Sequence, residues 1–210
     1  MNFEKSVLEA LLSTGSVKVE PNNLFTWTSG IKSPIYCDNR LMIGFVKERE
    51  QIVDGLVALI KDKFPDCNFV AGTATAGIPW AAFVAEKMRV GMVYVRSQAK
   101  AHGAGKQVEG FIPAGAKVVV VEDLISTGGS SMVSVNAIKA ETDAEILGIT
   151  SIFSYGFQSS KNLFSDNGVS AFSLANFKVL LGLLVEQSKI TEEQRLTLEK
   201  FSADPHNWLN

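Results

Sequence analysis

The run Val118-Val119-Val120-Val121-Glu122-Asp123-Leu124-Ile125-Ser126-Thr127-Gly128-Gly129-Ser130-Ser131 concentrates groups able to do chemistry. Four β-branched residues precede two carboxylates, and a turn rich in hydroxyls and glycine follows them. The valines read as a central strand with the acidic pair at its carboxyl end, and Gly129 opens a helix. Ligands in open α/β sheets bind at the carboxyl ends of strands. A turn feeding a helix N-terminus offers a row of backbone N–H groups, here joined by the hydroxyls of Ser126, Thr127, Ser130 and Ser131. That suits a phosphate. Gly128 and Gly129 let the backbone close on the anion. Carboxylates beside such a site make sense as acceptors from sugar hydroxyls, and a ribose 5-phosphate unit supplies both features. A simple capped helix would explain acidic and hydroxyl residues in a first turn. It would not explain the adjoining apolar strand and acidic pair.

Other segments offer weaker signals. Gly72-Thr73-Ala74-Thr75-Ala76-Gly77 follows a short strand and opens a helix. It has the outer glycines of a P-loop, but Ile78-Pro79 follows where Lys-Ser/Thr is needed, so no Walker site is expected. Its amides suit a diphosphate; a tight turn is the plainer alternative. Arg96, Lys100 and His102 place three potential cations within seven residues. Such runs are usually solvated surface, yet cations on a closing segment would also stabilise a departing anion. Lys32 and Arg40 flank Pro34-Ile35-Tyr36, where they face either solvent or an anionic base. Trp27, Trp80 and Trp208 read as packing residues, and His206 as a structural one.

These groups need elements to position them. Helices are expected from Phe3 to Gly15, Val46 to Phe64, Gly77 to Met88, Gly129 to Ala140, Leu174 to Gln187 and Thr191 to Phe201, the last with a Thr191/Gln194 capping box. Strands are expected at Phe69–Ala71, Val90–Val95, Lys117–Val121 and Ile146–Phe153. Their alternation with helices predicts an α/β fold with a mostly parallel central sheet flanked by helices. Residues 17–40 mix turns with short β-prone pieces, which predicts a small antiparallel unit. The polar segment 97–108 is long for an ordered connection and reads as a lid or binding loop.

The chain has 210 residues, 46% of them hydrophobic and 20% charged, which fits one globular domain without repeats or long linkers. Twenty Lys plus Arg against 22 Asp plus Glu leave a net charge of −2. That argues against a general nucleic-acid or membrane-surface binder. The two cysteines, Cys37 and Cys67, form no C-x-x-C pair and no disulfide framework. No basic stretch followed by an apolar run opens the chain, and the longest apolar stretches are too short for a bilayer. A cytoplasmic location is expected.

The Val118–Ser131 stretch closely resembles the motif that binds 5-phosphoribosyl 1-diphosphate (PRPP) in the type I phosphoribosyltransferase family. Phe25-Thr26-Trp27-Thr28-Ser29-Gly30-Ile31-Lys32-Ser33-Pro34-Ile35-Tyr36 and Arg96-Ser97-Gln98-Ala99-Lys100-Ala101-His102-Gly103 are similar to the family branch that acts on orotate. The resemblance extends to the closing Asp204-Pro205-His206-Asn207-Trp208. It implies a phosphoribosyltransferase fold with a small hood, built from about 17–40 and the C-terminal region, and a flexible lid at about 97–108. It implies Mg-dependent transfer of the phosphoribosyl group from PRPP to orotate, giving orotidine 5′-monophosphate and diphosphate, in pyrimidine (UMP) biosynthesis.

Carried over residue by residue, Glu122 and Asp123 hold the ribose hydroxyls. Leu124, Ile125, Ser126, Thr127, Gly128, Gly129 and Ser130 wrap the 5′-phosphate. Ser126 also touches orotate, with Lys32 and Tyr36 beside it. Thr73, Ala74, Thr75 and Ala76 form the diphosphate loop. Arg96, Lys100 and His102 are lid residues that reach the neighbouring subunit's site in a homodimer, and with Asp123 they form the catalytic set. The resemblance implies Mg²⁺ held mainly through PRPP, with no dedicated protein ligand. Some members have Lys where this chain has Thr28, Tyr-Lys where it has Thr75-Ala76, and a second basic residue where it has Ser97. No Lys-for-Lys role carries over at those positions. The competing readings are the same transfer to another base, and a PRPP-sensing regulator that binds nucleic acid.

Overall fold

The computed structural model describes residues 3–27, 30–99 and 105–209. A six-stranded sheet runs through it in the order β10-β9-β8-β5-β6-β7. The strands are β5 (Phe69–Thr73), β6 (Gly91–Val95), β7 (Val108–Glu109), β8 (Lys117–Ile125), β9 (Glu145–Ser154) and β10 (Ala171–Asn176). All neighbours are parallel except β6 and β7. Helices α2 (Val46–Lys63), α3 (Gly77–Met88), α4 (Gly129–Glu141) and α5 (Gln158–Asp166) follow strands or connect to them, and α1 (Phe3–Ser13) leads the chain.

The valines of β8 show why its sequence is apolar without alternation. Val119 and Val121 pack into a core shared with α1, α2, α3 and the C-terminal helices α6 (Phe177–Glu186) and α7 (Glu192–Ala203). Val118 and Val120 enter a second core with Met132, Val135 and Ile138 of α4 and Phe164 of α5. A strand covered on both faces needs apolar side chains at every position.

Before the sheet, β1 (Val17–Val19) pairs antiparallel with β4 (Ile35–Cys37), and β2 (Phe25–Thr26) with β3 (Lys32–Ser33). A 3-10 turn (Asn39–Gly44) then leads into α2. The C-terminus returns to this region: the indole N–H of Trp208 donates to the Lys32 carbonyl at 2.9 Å. Trp27 packs against Tyr155, Phe157 and Phe201. Among the described residues, no helix is long and apolar enough to cross a membrane.

Several elements depart from the sequence expectation. The β8 strand does not stop at Val121 but continues through the acidic pair to Ile125, because β9 pairs with it up to Ile125 and Ser154. The expected helix from Leu174 starts later. Leu174 lies in β10, and Asn176 caps α6 by accepting the Val179 N–H at 3.1 Å. The half-buried edge strand Ala171-Phe172-Ser173-Leu174-Ala175-Asn176 is too short and mixed to separate from the apolar helix behind it. Helix α5 and the two-residue β7 were also not foreseen; both owe their place to tertiary partners.

Candidate active site

Strand β5 leads through α3 to one side of the sheet, and β8 leads through α4 to the other. The gap between their carboxyl ends is therefore the topological switch point, where an open α/β sheet leaves a crevice. The ladder from β5 ends at Gly72 and Val121, whereas β8 runs on beside β9. Glu122, Asp123 and Leu124 thus stand at an edge that β5 has left open. A cavity of about 320 Å³ fills it, lined by Ala74, Thr75, Ala76, Glu122, Asp123, Leu124 and Ser130, with Cys37, Asp38 and Arg40 opposite.

The two carboxyls differ. Glu122 is 4% exposed. Its Oε2 accepts from the hydroxyls of Ser130 (2.9 Å) and Ser131 (3.2 Å), and its Oε1 accepts from the Asp123 N–H (3.2 Å). The two hydroxyls hold it to the first turn of α4, and the Asp123 N–H holds it to its own strand. Burial, and then the neighbouring Asp123 charge, push the Glu122 carboxyl well above the ordinary carboxylate range. Burial also raises Asp123, while its hydrogen bond with Glu122 works against that rise. Two acids this close do not both ionise easily, so the pair tends to keep one proton, held on Glu122. Asp123 is the half-exposed member and faces the cavity.

Both helices bordering the crevice begin without a side-chain cap. The N-cap positions are Ala76 for α3 and Gly128 for α4, and neither gives a side-chain hydrogen bond. The α4 start leaves its first N–H groups for an anion; at α3 Pro79 has none and the Ile78 N–H donates to the Thr75 carbonyl at 3.4 Å, which leaves those of Ala76 and Gly77, with the positive end of each helix dipole behind. The hydroxyls of Ser130 and Ser131 were expected in the phosphate cradle but are committed as donors to Glu122. The turn's remaining polar groups are its backbone and the hydroxyls of Ser126 and Thr127, which are half-buried and exposed. Ile125 is buried in the second core, and Leu124 lines the cavity. Gly128 takes a φ of +83°, and Gly129 is exposed at the helix start.

On the β5 side, Ala74, Thr75 and Ala76 line the cavity, but the Thr73 side chain does not. Its buried hydroxyl pairs with that of Ser134 on α4 at 3.0 Å. The Ala74 N–H is taken by the Val95 carbonyl at 2.8 Å.

Lys32 lies apart from the acidic pair. Its ammonium donates to Thr26 Oγ1 at 2.7 Å, and it lines a separate recess with Pro205, His206 and Trp208. Tyr36 is 40% exposed, with its ring 5.6 Å from Phe25. Arg96 sits at the base of the 97–108 segment. Its N–H donates to the Gln107 carbonyl (3.0 Å), its carbonyl accepts from Gln107 Nε2 (3.1 Å), and its guanidinium approaches Glu109 at 3.5 Å. Glu141, at the end of α4, accepts the Gln107 and Val108 N–H groups at 2.8 and 3.1 Å. Lys100 and His102 lie outside the described residues.

Sequence reasoning missed Asn39. It is fully buried, donates from Nδ2 to the Asp123 carbonyl at 2.7 Å, and accepts from the Cys37 thiol at 3.3 Å. It ties residues 35–44 to the acidic strand. The polar run Cys37-Asp38-Asn39-Arg40 reads as a turn, and nothing in its composition marks the middle residue as buried. Among the described residues, no group of three or more His, Cys, Asp or Glu could hold a metal ion. The oxygen donors at the crevice suit a hard cation shared with a substrate's own oxygens, with Asp123 as the available carboxylate.

A phosphoribosyl transferase domain matches residues 45–176. The orotate phosphoribosyltransferase of Listeria monocytogenes serotype 4b (strain F2365) is 49% identical over 208 residues, covering 99% of each chain. That of Bacillus caldolyticus is 46% identical over 206 residues, covering 98% of this chain and 99% of its own. The crystal structure of orotate phosphoribosyltransferase from Aeropyrum pernix aligns with a TM-score of 0.76 at 30% identity, over 85% of this chain and 97% of that one. With its acidic strand end and paired helix starts at the switch point, the chain belongs to the phosphoribosyl transferase family, in the orotate phosphoribosyltransferase branch.

Proposed function

We propose that this protein transfers the 5-phosphoribosyl group of PRPP to orotate, giving orotidine 5′-monophosphate and diphosphate in pyrimidine biosynthesis. The observation that carries this reading is the crevice itself: one half-exposed carboxylate between two uncapped helix starts. PRPP has a phosphate at one end, a diphosphate at the other and hydroxyls between. In this reading the start of α4 and Ser126 to Gly129 take the 5′-phosphate. The α3 start with Thr75 and Ala76 takes the diphosphate, and Asp123 accepts from the ribose hydroxyls. Glu122 holds the α4 turn in place through Ser130 and Ser131.

Loss of diphosphate leaves positive charge on the ribose ring and negative charge on the leaving group. Fixed N–H groups at the α3 start oppose the second, and Asp123 offsets the first. Orotate is already a competent nucleophile, so no residue forms a covalent intermediate, and the protein orients the reactants. When bound, Mg²⁺ would supply further charge neutralisation, with Asp123 the carboxylate placed to help hold it. Arg96 at the base of a lid at about 97–108, with Lys100 and His102 on it, brings cations to the leaving group while the lid excludes water. Residues 17–40 and the C-terminal region form the hood over the base, which the Trp208–Lys32 bond supports. A homodimer with lid residues shared between subunits, and a cytoplasmic location, complete the reading.

The test is to mix the protein with PRPP, Mg²⁺ and orotate and follow orotate's ultraviolet absorbance. Loss of absorbance with release of diphosphate is expected. A flat trace with wild-type protein would overturn the assignment.

A further inference from the structure

The proposed reaction brings three anionic groups into one crevice. The two phosphoryl ends of PRPP have helix starts to receive them. The carboxylate of orotate has none, and it needs a partner because an unpaired charge in a water-poor site is costly. Among the described residues lining the cavity, Arg40 is the one cation.

We propose that Arg40 binds the orotate carboxylate and thereby sets the preference for an acidic pyrimidine; this rests on the transfer reaction proposed above. The side chain is built for such a role. Asp38 Oδ1 accepts from Arg40 Nε (2.7 Å) and from the Arg40 backbone N–H (3.2 Å), while Oδ2 accepts from Nη2 (2.9 Å). Asp38 is itself the N-cap of the 3-10 turn that carries Arg40, so clamp and guanidinium share one rigid bend. Asn39, between them, is pinned to the Asp123 carbonyl. The bend is therefore locked to the strand that bears the acidic pair.

A guanidinium has five N–H donors in a fixed plane. Asp38 takes the Nε edge and leaves the Nη1 side, with 63% of the side chain exposed, to face a second carboxylate. Lys32, the other cation that sequence offers for the base, gives its ammonium to Thr26 and lies in a different recess.

The diphosphate is the competing ligand for Arg40, and steady-state kinetics on the full-length protein separate the two. In Arg40→Gln the KM for orotate should rise about tenfold to a hundredfold, the size expected for a lost charge-assisted contact. The KM for PRPP should stay within about twofold of wild type. Arg40→Lys keeps the charge without the fork, and should give a smaller rise in the orotate KM. Asp38→Asn keeps a cap but frees the guanidinium, and should move the same constant in the same direction. An unchanged orotate KM in Arg40→Gln would overturn the proposal, as would a PRPP KM that rises as far as that for orotate. Wild-type protein that leaves orotate untouched would instead remove the reaction itself, and the assignment with it.

Discussion

After β5 the chain turns through Ala74–Ala76 into α3; after β8 it turns through Ser126–Gly128 into α4. Both units are strand, turn and helix, both open on the crevice, and both need glycine, but for different reasons. A Cβ on Gly77 would stand 2.5 Å from the Val121 carbonyl oxygen, and one on Gly72 would stand 2.9 Å from Ile78 Cα. These glycines let α3 press against the backbone of its neighbours. Gly128 instead adopts a φ of +83°, a conformation that side chains other than glycine's resist. The first turn is shaped by what it packs on, the second by its own backbone. The polar groups divide in the same way: β8 carries the buried Glu122 network, while the β5 turn offers little besides backbone.

The sharpest way to break this contrast is Gly77→Ala. The clash is with backbone, which cannot rotate away, so a loss of about 3 kcal/mol is expected, or a Tm drop on the order of 10 °C. Calorimetry without ligand checks it; an unchanged Tm would show that the α3 approach is not tight.

Gly128→Ala should cost less stability, about 2 kcal/mol, since it combines backbone strain with a contact 2.7 Å from the movable end of the Phe164 ring. Its larger consequence should be weaker PRPP binding, because the cradle itself is distorted. Titration calorimetry with PRPP measures this, and PRPP affinity equal to wild type would separate the turn from the phosphate.

The last effect is a slope with pH rather than a single loss, and it concerns the acidic pair. A carboxyl whose folded pKa lies above its unfolded value keeps its proton in the fold after the unfolded chain has lost it. Its contribution is complete below the ordinary value of 4.5 and lost as pH rises toward about 8. The ligand-free protein should therefore lose stability from this pair across that window. Glu122→Gln should flatten the slope. Parallel pH profiles of Tm for the two proteins would show that the pair does not share a proton.

Much of the site was legible because its signals are local. Four valines, an acidic pair and a Ser/Thr/Gly turn lie within fourteen consecutive residues, and local order already suggests a strand end, sugar acceptors and an anion site. The boundaries of α3, Gly77 to Met88, were also readable from apolar spacing. What failed were features set by distant partners. That the Ser130 and Ser131 hydroxyls would meet the Glu122 carboxylate was not foreseen. Asn39 gave no signal because its partner is a carbonyl 84 positions away. The second half of β10, from Leu174, looked like helix because only pairing with β9 makes it a strand.

By itself the sequence determined the alternation of strands and helices, the double-sided burial of Val118–Val121 and the chemistry of the turn after them, since each follows from side-chain type and near-neighbour spacing. Tertiary structure alone decided where β5 and β8 part, which of Glu122 and Asp123 is the more exposed in the crevice, and that Arg40 rather than Lys32 borders it. Those outcomes depend on strand order and on hydrogen bonds between residues far apart in the chain, and no local pattern encodes such distances.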